Sequence, residues 1–286
     1  RLDAAVRDLD EAAASARSFQ RPELALECLL DEAMVLDWLC EYERSARKVE
    51  EVVALMTELE RDGRHLITGL LRARTTLARG LVMHRSGNAP GAIQPLLEAA
   101  ELAEAAGDEG YETLVIALLL AGPNCAALGR LEEAESILAR AIAAAEMRED
   151  RHHLASALNN RAIVWFGRCD AENLIRDFTR VLDIARDTGF VLLEPPVLGN
   201  LGESYYALGR LQEAEEHARR SLEYHERIGS TDVSSVVAEV LLARISMYSR
   251  RPDEASNWIA AVERRLVRMG GDEALSSNEA VLLEAV

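Results

Sequence analysis

Two short stretches of this chain, 80 residues apart, carry nearly the same six residues. Gly129 to Ala134 reads GRLEEA, and Gly209 to Ala214 reads GRLQEA. The interval is two units of about 40 residues, which predicts an array of repeated units that each pack only on their neighbours. Weaker copies of the same signal begin at Glu41, Gly87, Gly167 and Arg250.

Every signal except the one at Glu41 is preceded, seven residues earlier, by a marker residue. These residues are the small Gly80, Gly122, Gly202 and Ala243, with Asn160 in the degenerate copy. A small side chain in one helix lets a second helix approach closely, and glycine at the turn ends the first helix in a left-handed conformation. The repeat therefore predicts an all-α fold of antiparallel helix pairs, forming a single array over 1–286. We predict a lone opening helix at 3–19, a truncated last helix from Asp272, and six pairs at 22–62, 64–106, 109–148, 151–188, 191–228 and 231–269.

Composition restricts the function. The net charge of −17 argues against a nucleic-acid backbone and an anionic membrane surface as partners. No uninterrupted apolar run reaches transmembrane length and no signal peptide precedes the first helix, so we expect a cytoplasmic setting. The chain starts without Met and stops inside an apolar helical pattern, so we expect a fragment of a longer protein. Four cysteines lie in apolar helical patterns and are predicted to be buried thiols: Cys28, Cys40, Cys125 and Cys169.

The segment from Asn200 to Arg210 resembles the tetratricopeptide (TPR) consensus. Its most characteristic matches, continuing into the next helix, are Leu201, Gly202, Tyr205, Gly209 and Ala214. The period departs from the usual TPR length of about 34 residues. Longer units of this kind are similar to those of kinesin light chains and of sensor regions in large bacterial signalling ATPases, kinase-associated proteins and transcription activators. The resemblance implies a right-handed superhelical solenoid whose concave groove is lined by the first helix of each pair.

Catalytic signals are weak. The sequence has no HExxH, GxSxG or P-loop motif. His217 and His225 could share a helix face, but no carboxylate or thiolate completes a ligand set, and we predict solvent-facing side chains. Acidic pairs such as Glu132 and Glu133 recur on the solvent side of second helices. We therefore predict no enzyme, no metal and no cofactor.

The groove is the candidate site. Counted from the small residue of each pair, the inward positions lie six and three residues before it and one and four after it. The lining is apolar with a few arginines, which suits an amphipathic helix or another protein segment. The predicted partner-binding residues are Arg74, Leu77, Leu81, His84, Arg161, Val164, Glu203, Tyr206, Val240, Arg244 and Met247.

Two functions fit this site. The first is a protein-interaction scaffold that binds a peptide or partner domain, with acidic groups on the partner meeting Arg161 and Arg244. The second is the sensor region of a larger bacterial signalling protein that binds a small molecule or peptide. Two further alternatives are that the inward residues pack within the chain itself, and that the acidic outer face is the working surface.

Overall fold

The chain folds almost entirely into helices. The computed structural model describes residues 2–61, 67–190, 193–228 and 233–269, and within these ranges there is no strand. The prediction of an all-α array of helix pairs is confirmed, whereas the helix predicted from Asp272 lies outside the described residues. The helices are α1 (Leu2–Ser18), α2 (Pro22–Trp38), α3 (Tyr42–Arg61), α4 (Gly69–Arg85), α5 (Ala89–Ala105), a 3-10 helix (Gly107–Gly110), α6 (Tyr111–Ala127), α7 (Leu131–Met147), α8 (Arg151–Gly167), α9 (Ala171–Thr188), α10 (Glu194–Ala207), α11 (Leu211–Ile228), α12 (Val233–Tyr248) and α13 (Pro252–Met269).

The chain divides into two compact units, Arg1–Gly167 and Arg168–Val286. In unit 1, α1 to α8 pack in sequence, and the first helices of successive pairs also touch: α2 contacts α4, α4 contacts α6, and α6 contacts α8. In unit 2, α10 likewise contacts α12. We call the surface formed by these first helices within each unit the first-helix face. The single array over 1–286 stays a prediction.

Close approach within each pair follows from the small residues. A Cβ atom placed on Gly80 would stand 2.7 Å from Leu96 Cγ in α5, and one on Gly122 would stand 2.6 Å from Leu138 Cγ in α7. Carbon atoms in van der Waals contact are about 3.5–4.0 Å apart, so neither position accommodates a larger residue without displacing its neighbour. The reasoning that a small residue allows the pair to close is therefore confirmed in these two pairs.

The turns between paired helices use a left-handed residue that is not always glycine. Gly129 and Gly209 have φ of 73° and 71°, but Cys40 and Cys169 occupy the equivalent position with φ of 60° and 57°. Both cysteines are exposed, and only Cys125 is buried. The prediction of four buried thiols is wrong because two of these residues end helices instead of lying inside them.

One stretch, Gly107–Ala127, is long and apolar enough to cross a membrane by length and composition alone. It comprises the 3-10 helix and α6, and half of its apolar window is buried inside the protein. Val115, Leu118 and Ala121 of α6 are fully or almost fully buried in unit 1. These contacts explain its apolar composition as that of a central core helix.

Candidate functional site

The register predicted for α8 is wrong by two residues. The left-handed turn residue is Cys169, not Gly167, so the small residue seven positions earlier is the buried Ala162, not Asn160. Val164 consequently has 0 % exposure and offers no surface to a partner.

The residues that occupy two groove positions of α8, one and four residues after Ala162, were missed. Ile163 and Phe166 are 51 % and 64 % exposed. The sequence did hold the signal that finds them, because position 169 lies midway between the turn glycines Gly129 and Gly209.

Pro123 determines how α8 is attached to α6. Proline has no N–H, so the carbonyl of Leu119, four residues earlier, lacks its helical donor. Asn160 Nδ2 donates to that carbonyl oxygen at 3.1 Å. This bond sets Leu119 level with Asn160, and both helices rise equally per residue. Pro123 and Ala126 on α6 therefore lie within one residue's rise, about 1.5 Å, of the levels of Ile163 and Phe166 on α8. We call these last four residues the α6–α8 strip.

On the first-helix face between α2 and α4, two arginines form ion pairs with carboxylates of the same chain. Arg74 pairs with Asp31, and Arg85 makes two hydrogen bonds to Asp37, at 2.9 and 2.8 Å. His84 is half-buried, with its Nδ1 3.0 Å from Asn124 Nδ2.

Two of the predicted lining residues on α4, Leu77 and Leu81, are buried. They belong to the packing of unit 1 and do not line an open groove. The prediction that they contact a partner is wrong in this respect, because neighbouring helices already cover them.

In unit 2 the predicted site residues bind one another. Arg244 Nη1 lies 3.1 Å from both carboxylate oxygens of Glu203, and its guanidinium carbon is 4.5 Å from the centre of the Tyr206 ring. Burial raises the pKa of Glu203 and outweighs the opposing effect of Arg244. Val240 is buried, and Met247 is exposed at the end of α12. Arg244 is therefore already neutralised by its own chain.

Arg161 also has a contact within α8. Its guanidinium carbon lies 5.7 Å from the centre of the Trp165 ring, a cation–π distance. The side chain is half-buried.

A polar cluster at the start of α8 is structural. Asp150 accepts hydrogen bonds from the backbone N–H of His153 at 3.0 Å and from Tyr111 Oη at 3.0 Å, and it lies 2.7 Å from His153 Nδ1. Burial alone would raise the pKa of Asp150, but the hydrogen bonds from His153 and Tyr111 prevail and lower it to about 2. Burial, followed by the bond to Asp150, raises the pKa of Tyr111 to about 12. Asp150 thus acts as the N-terminal cap of α8.

Apart from the first-helix face, a pocket with a volume of about 310 Å³ lies between α5, α6 and α7. Ion pairs join its walls: Glu104 with Arg140 at 3.0 Å, and Asp108 with Arg148. Met147 lies at its edge and is 82 % exposed. Among the described residues, no group of three His, Cys, Asp or Glu side chains is arranged to hold a metal ion.

Comparison with known proteins agrees with this architecture. Residues 153–227 match the family model of the tetratricopeptide repeat. No curated protein sequence matches the chain.

Several solved structures share the fold. The apo form of RapI has a TM-score of 0.71 at 13 % identity, covering 99 % of this chain and 84 % of that chain. The Rap conjugation gene regulator of plasmid pLS20 in complex with the Phr* peptide has a TM-score of 0.59 at 15 % identity, covering 88 % and 66 %. The TPR-like repeats of a putative kinesin light chain from Podosopora anserina have a TM-score of 0.59 at 14 % identity, covering 72 % and 99 %. Residues 153–227 thus match the tetratricopeptide repeat, and the chain has a TPR-like fold, as predicted.

Proposed function

We propose that this chain is a protein-interaction module that binds a segment of another protein on the first-helix face of unit 1, centred on the α6–α8 strip. The observation that carries the proposal is the exposure of Ile163 and Phe166. These two large apolar side chains lie one turn apart on α8, whereas Leu158, Ala162 and Val164 of the same helix are fully buried. Adjacent exposed apolar groups mark binding surfaces more often than scattered ones do, and their burial by a partner is favourable.

The fold supports the proposal in a general way. A solved structure with this fold, at 15 % identity, holds a peptide. That likeness concerns the arrangement of helices alone, so the site on this chain is argued from its own residues. The proposal includes a cytoplasmic setting and no catalytic step.

The proposed partner differs in charge from the one that the sequence suggests. An acidic partner was expected to meet Arg161 and Arg244, but Arg244 is held by both oxygens of Glu203. A partner carboxylate would have to displace Glu203 from Arg244. Arg244 would then exchange one carboxylate for another, with little net gain in binding free energy. We therefore assign the main binding contribution to Ile163 and Phe166.

The second candidate function is a sensor region within a larger signalling protein. One structure that shares the fold is described as a conjugation gene regulator, and this favours the alternative. The same face would then bind a peptide that regulates a neighbouring domain. A nucleotide-binding, kinase or helix-turn-helix domain encoded next to this segment would support it.

The test compares two exposed apolar residues of unit 1. A partner is first isolated with the wild-type chain, and its affinity is then measured for Phe166→Glu and for the matched control Met147→Glu. We expect Phe166→Glu to weaken binding at least about tenfold, or about 1.4 kcal/mol, since hot-spot residues at the centre of an interface contribute about 2 kcal/mol or more. Met147→Glu should leave binding unchanged. If charge reversal at Glu132 and Glu133 abolishes binding and Phe166→Glu does not, the acidic outer face is the working surface.

A further inference from the structure

We infer that the segment bound at the α6–α8 strip is an amphipathic helix that presents an uncharged apolar face. This inference rests on the proposed function and specifies the partner's conformation and chemistry. Three observations carry it: the absence of charge from residues 113 to 129, the engagement of most local amide side chains, and the spacing of the helices.

Charge is almost absent from this part of the first-helix face. No residue from 113 to 129 is charged, and Arg161 is the only charged residue from 154 to 167, although charged residues make up 28 % of the chain. Between the neighbouring α2 and α4, Arg74 pairs with Asp31 and Arg85 with Asp37. A charged side chain pressed against α6 would lose water without gaining a partner, which is costly. The contacting face of the partner is therefore uncharged.

Two of the three amide side chains near the strip are already engaged. Asn160 Nδ2 donates to the carbonyl of Leu119, and Asn124 Nδ2 donates to the carbonyl of Leu120 at 2.7 Å. Asn159 is the remaining amide on this part of α8. An extended segment brings an N–H and a C=O group at every residue that need partners when buried. A helix bonds these groups internally, so it can lie on an apolar surface that offers few donors and acceptors.

The spacing of the first helices fits the same partner. Packed helices lie roughly 8–10 Å apart. A helix rises about 1.5 Å per residue, so its residues i and i+7 lie on one face about 10 Å apart. A partner helix that crosses α6 and α8 would thus place its residue i beside Phe166 on α8. Its residue i+7 would lie beyond Ala126 on α6, on the side away from α8. Since Pro123 and Ala126 are smaller than Ile163 and Phe166, they leave room for these side chains.

The test uses random peptides of about 16 residues displayed on phage. They are selected on the full chain and counter-selected on Phe166→Glu, so the binders that remain require the strip. We expect apolar residues at i, i+3 or i+4, and i+7 in these binders, with no charge on that face. Synthetic binders should gain helical circular dichroism on addition of the chain. Ile163→Glu should weaken them at least about tenfold, and Met147→Glu should bind them like the wild type.

The possible failures are distinguishable. Binders that depend on Phe166 but show alternating apolar residues and no gain in helicity would overturn the helix and leave the proposed function standing. A selection that yields no binder dependent on Phe166 would overturn both. Because Ile163 and Phe166 are exposed, the variants should keep the wild-type circular dichroism. If Phe166→Glu does not, Phe166→Ser replaces it in the counter-selection and the same outcomes apply.

Discussion

Replacing Asn160 with alanine should destabilise unit 1 as long as Pro123 is present, and much less once it is replaced. The carbonyl of Leu119 has no helical donor because Pro123 lacks an N–H. Asn160 Nδ2 supplies the missing hydrogen bond across the α6–α8 contact, at 3.1 Å. Pro123→Ala would restore the helical donor, so the side chain of Asn160 would become dispensable there.

The expected magnitude follows from the burial of this bond. An acceptor left unsatisfied in the protein interior costs about 1–3 kcal/mol. Leu119 and Asn160 are both half-buried. We therefore expect Asn160→Ala to cost about 1 kcal/mol, near the lower end of that range. In the Pro123→Ala background the same change should cost a few tenths of a kcal/mol, as is usual where no special interaction is lost.

The assay is a double-mutant cycle. Urea unfolding of the four proteins is followed by circular dichroism, with hydrogen exchange in α6 and α8 as the local reading. Asn159→Ala is the matched control, a half-buried amide on the same helix that should change little. The reasoning is refuted if the two substitutions add within about 0.5 kcal/mol, which is the behaviour of independent sites.

Three further outcomes are expected. Gly122→Leu should lower stability by about 1–3 kcal/mol, because its Cβ would stand 2.6 Å from Leu138 Cγ; an unchanged thermal midpoint would contradict this. Asp150→Asn should cost about 2 kcal/mol near neutral pH, from a pKa lowered from 3.8 to about 2. Above the unfolded pKa the carboxylate contributes fully, and the contribution fades as the pH falls from about 4 through 2, so wild type and variant should converge in acid unfolding. Lys48→Met should cost about 3 kcal/mol, because Glu32, which is 2 % exposed, loses its cation. Burial already raises the pKa of Glu32, so this loss should shrink as the pH is lowered and Glu32 takes up a proton; a loss that grows in acid would be inconsistent with it.

The helix pairs were predictable because their signals are local. Gly122 and Gly129 encode a close approach and a left-handed turn within eight residues of sequence. Local chemistry alone sets both requirements, so the pattern predicts the same structure wherever it recurs. Cys40 and Cys169 show the limit of this reasoning. At Cys40, the packed helices α2 and α3 on either side hold a left-handed conformation that the residue does not favour.

The exposure of individual side chains was less predictable. Helical periodicity alone placed Leu81 and Val240 in the groove, and both are buried. Periodicity shows which residues share a helix face, but the packing of neighbouring pairs decides how much of that face stays open. The two-residue error at α8 had a larger effect, since it replaced Ile163 and Phe166 with Arg161 and the buried Val164.

Residue type is also a poor guide to a partner-binding residue when that residue already makes contacts within its own chain. Tyr and Arg often dominate interfaces, which made Tyr206 and Arg244 attractive candidates. In unit 2, however, Arg244 binds Glu203 and stacks on Tyr206. Removing Arg244 would leave Glu203 without its cation, in a site whose burial already raises its pKa. The first effect of Arg244→Ala is therefore on the α10–α12 contact, and a loss of binding in that variant would not identify a binding residue. Phe166 makes a sharper test, because its exposed side chain can be changed without removing a partner from a buried charge.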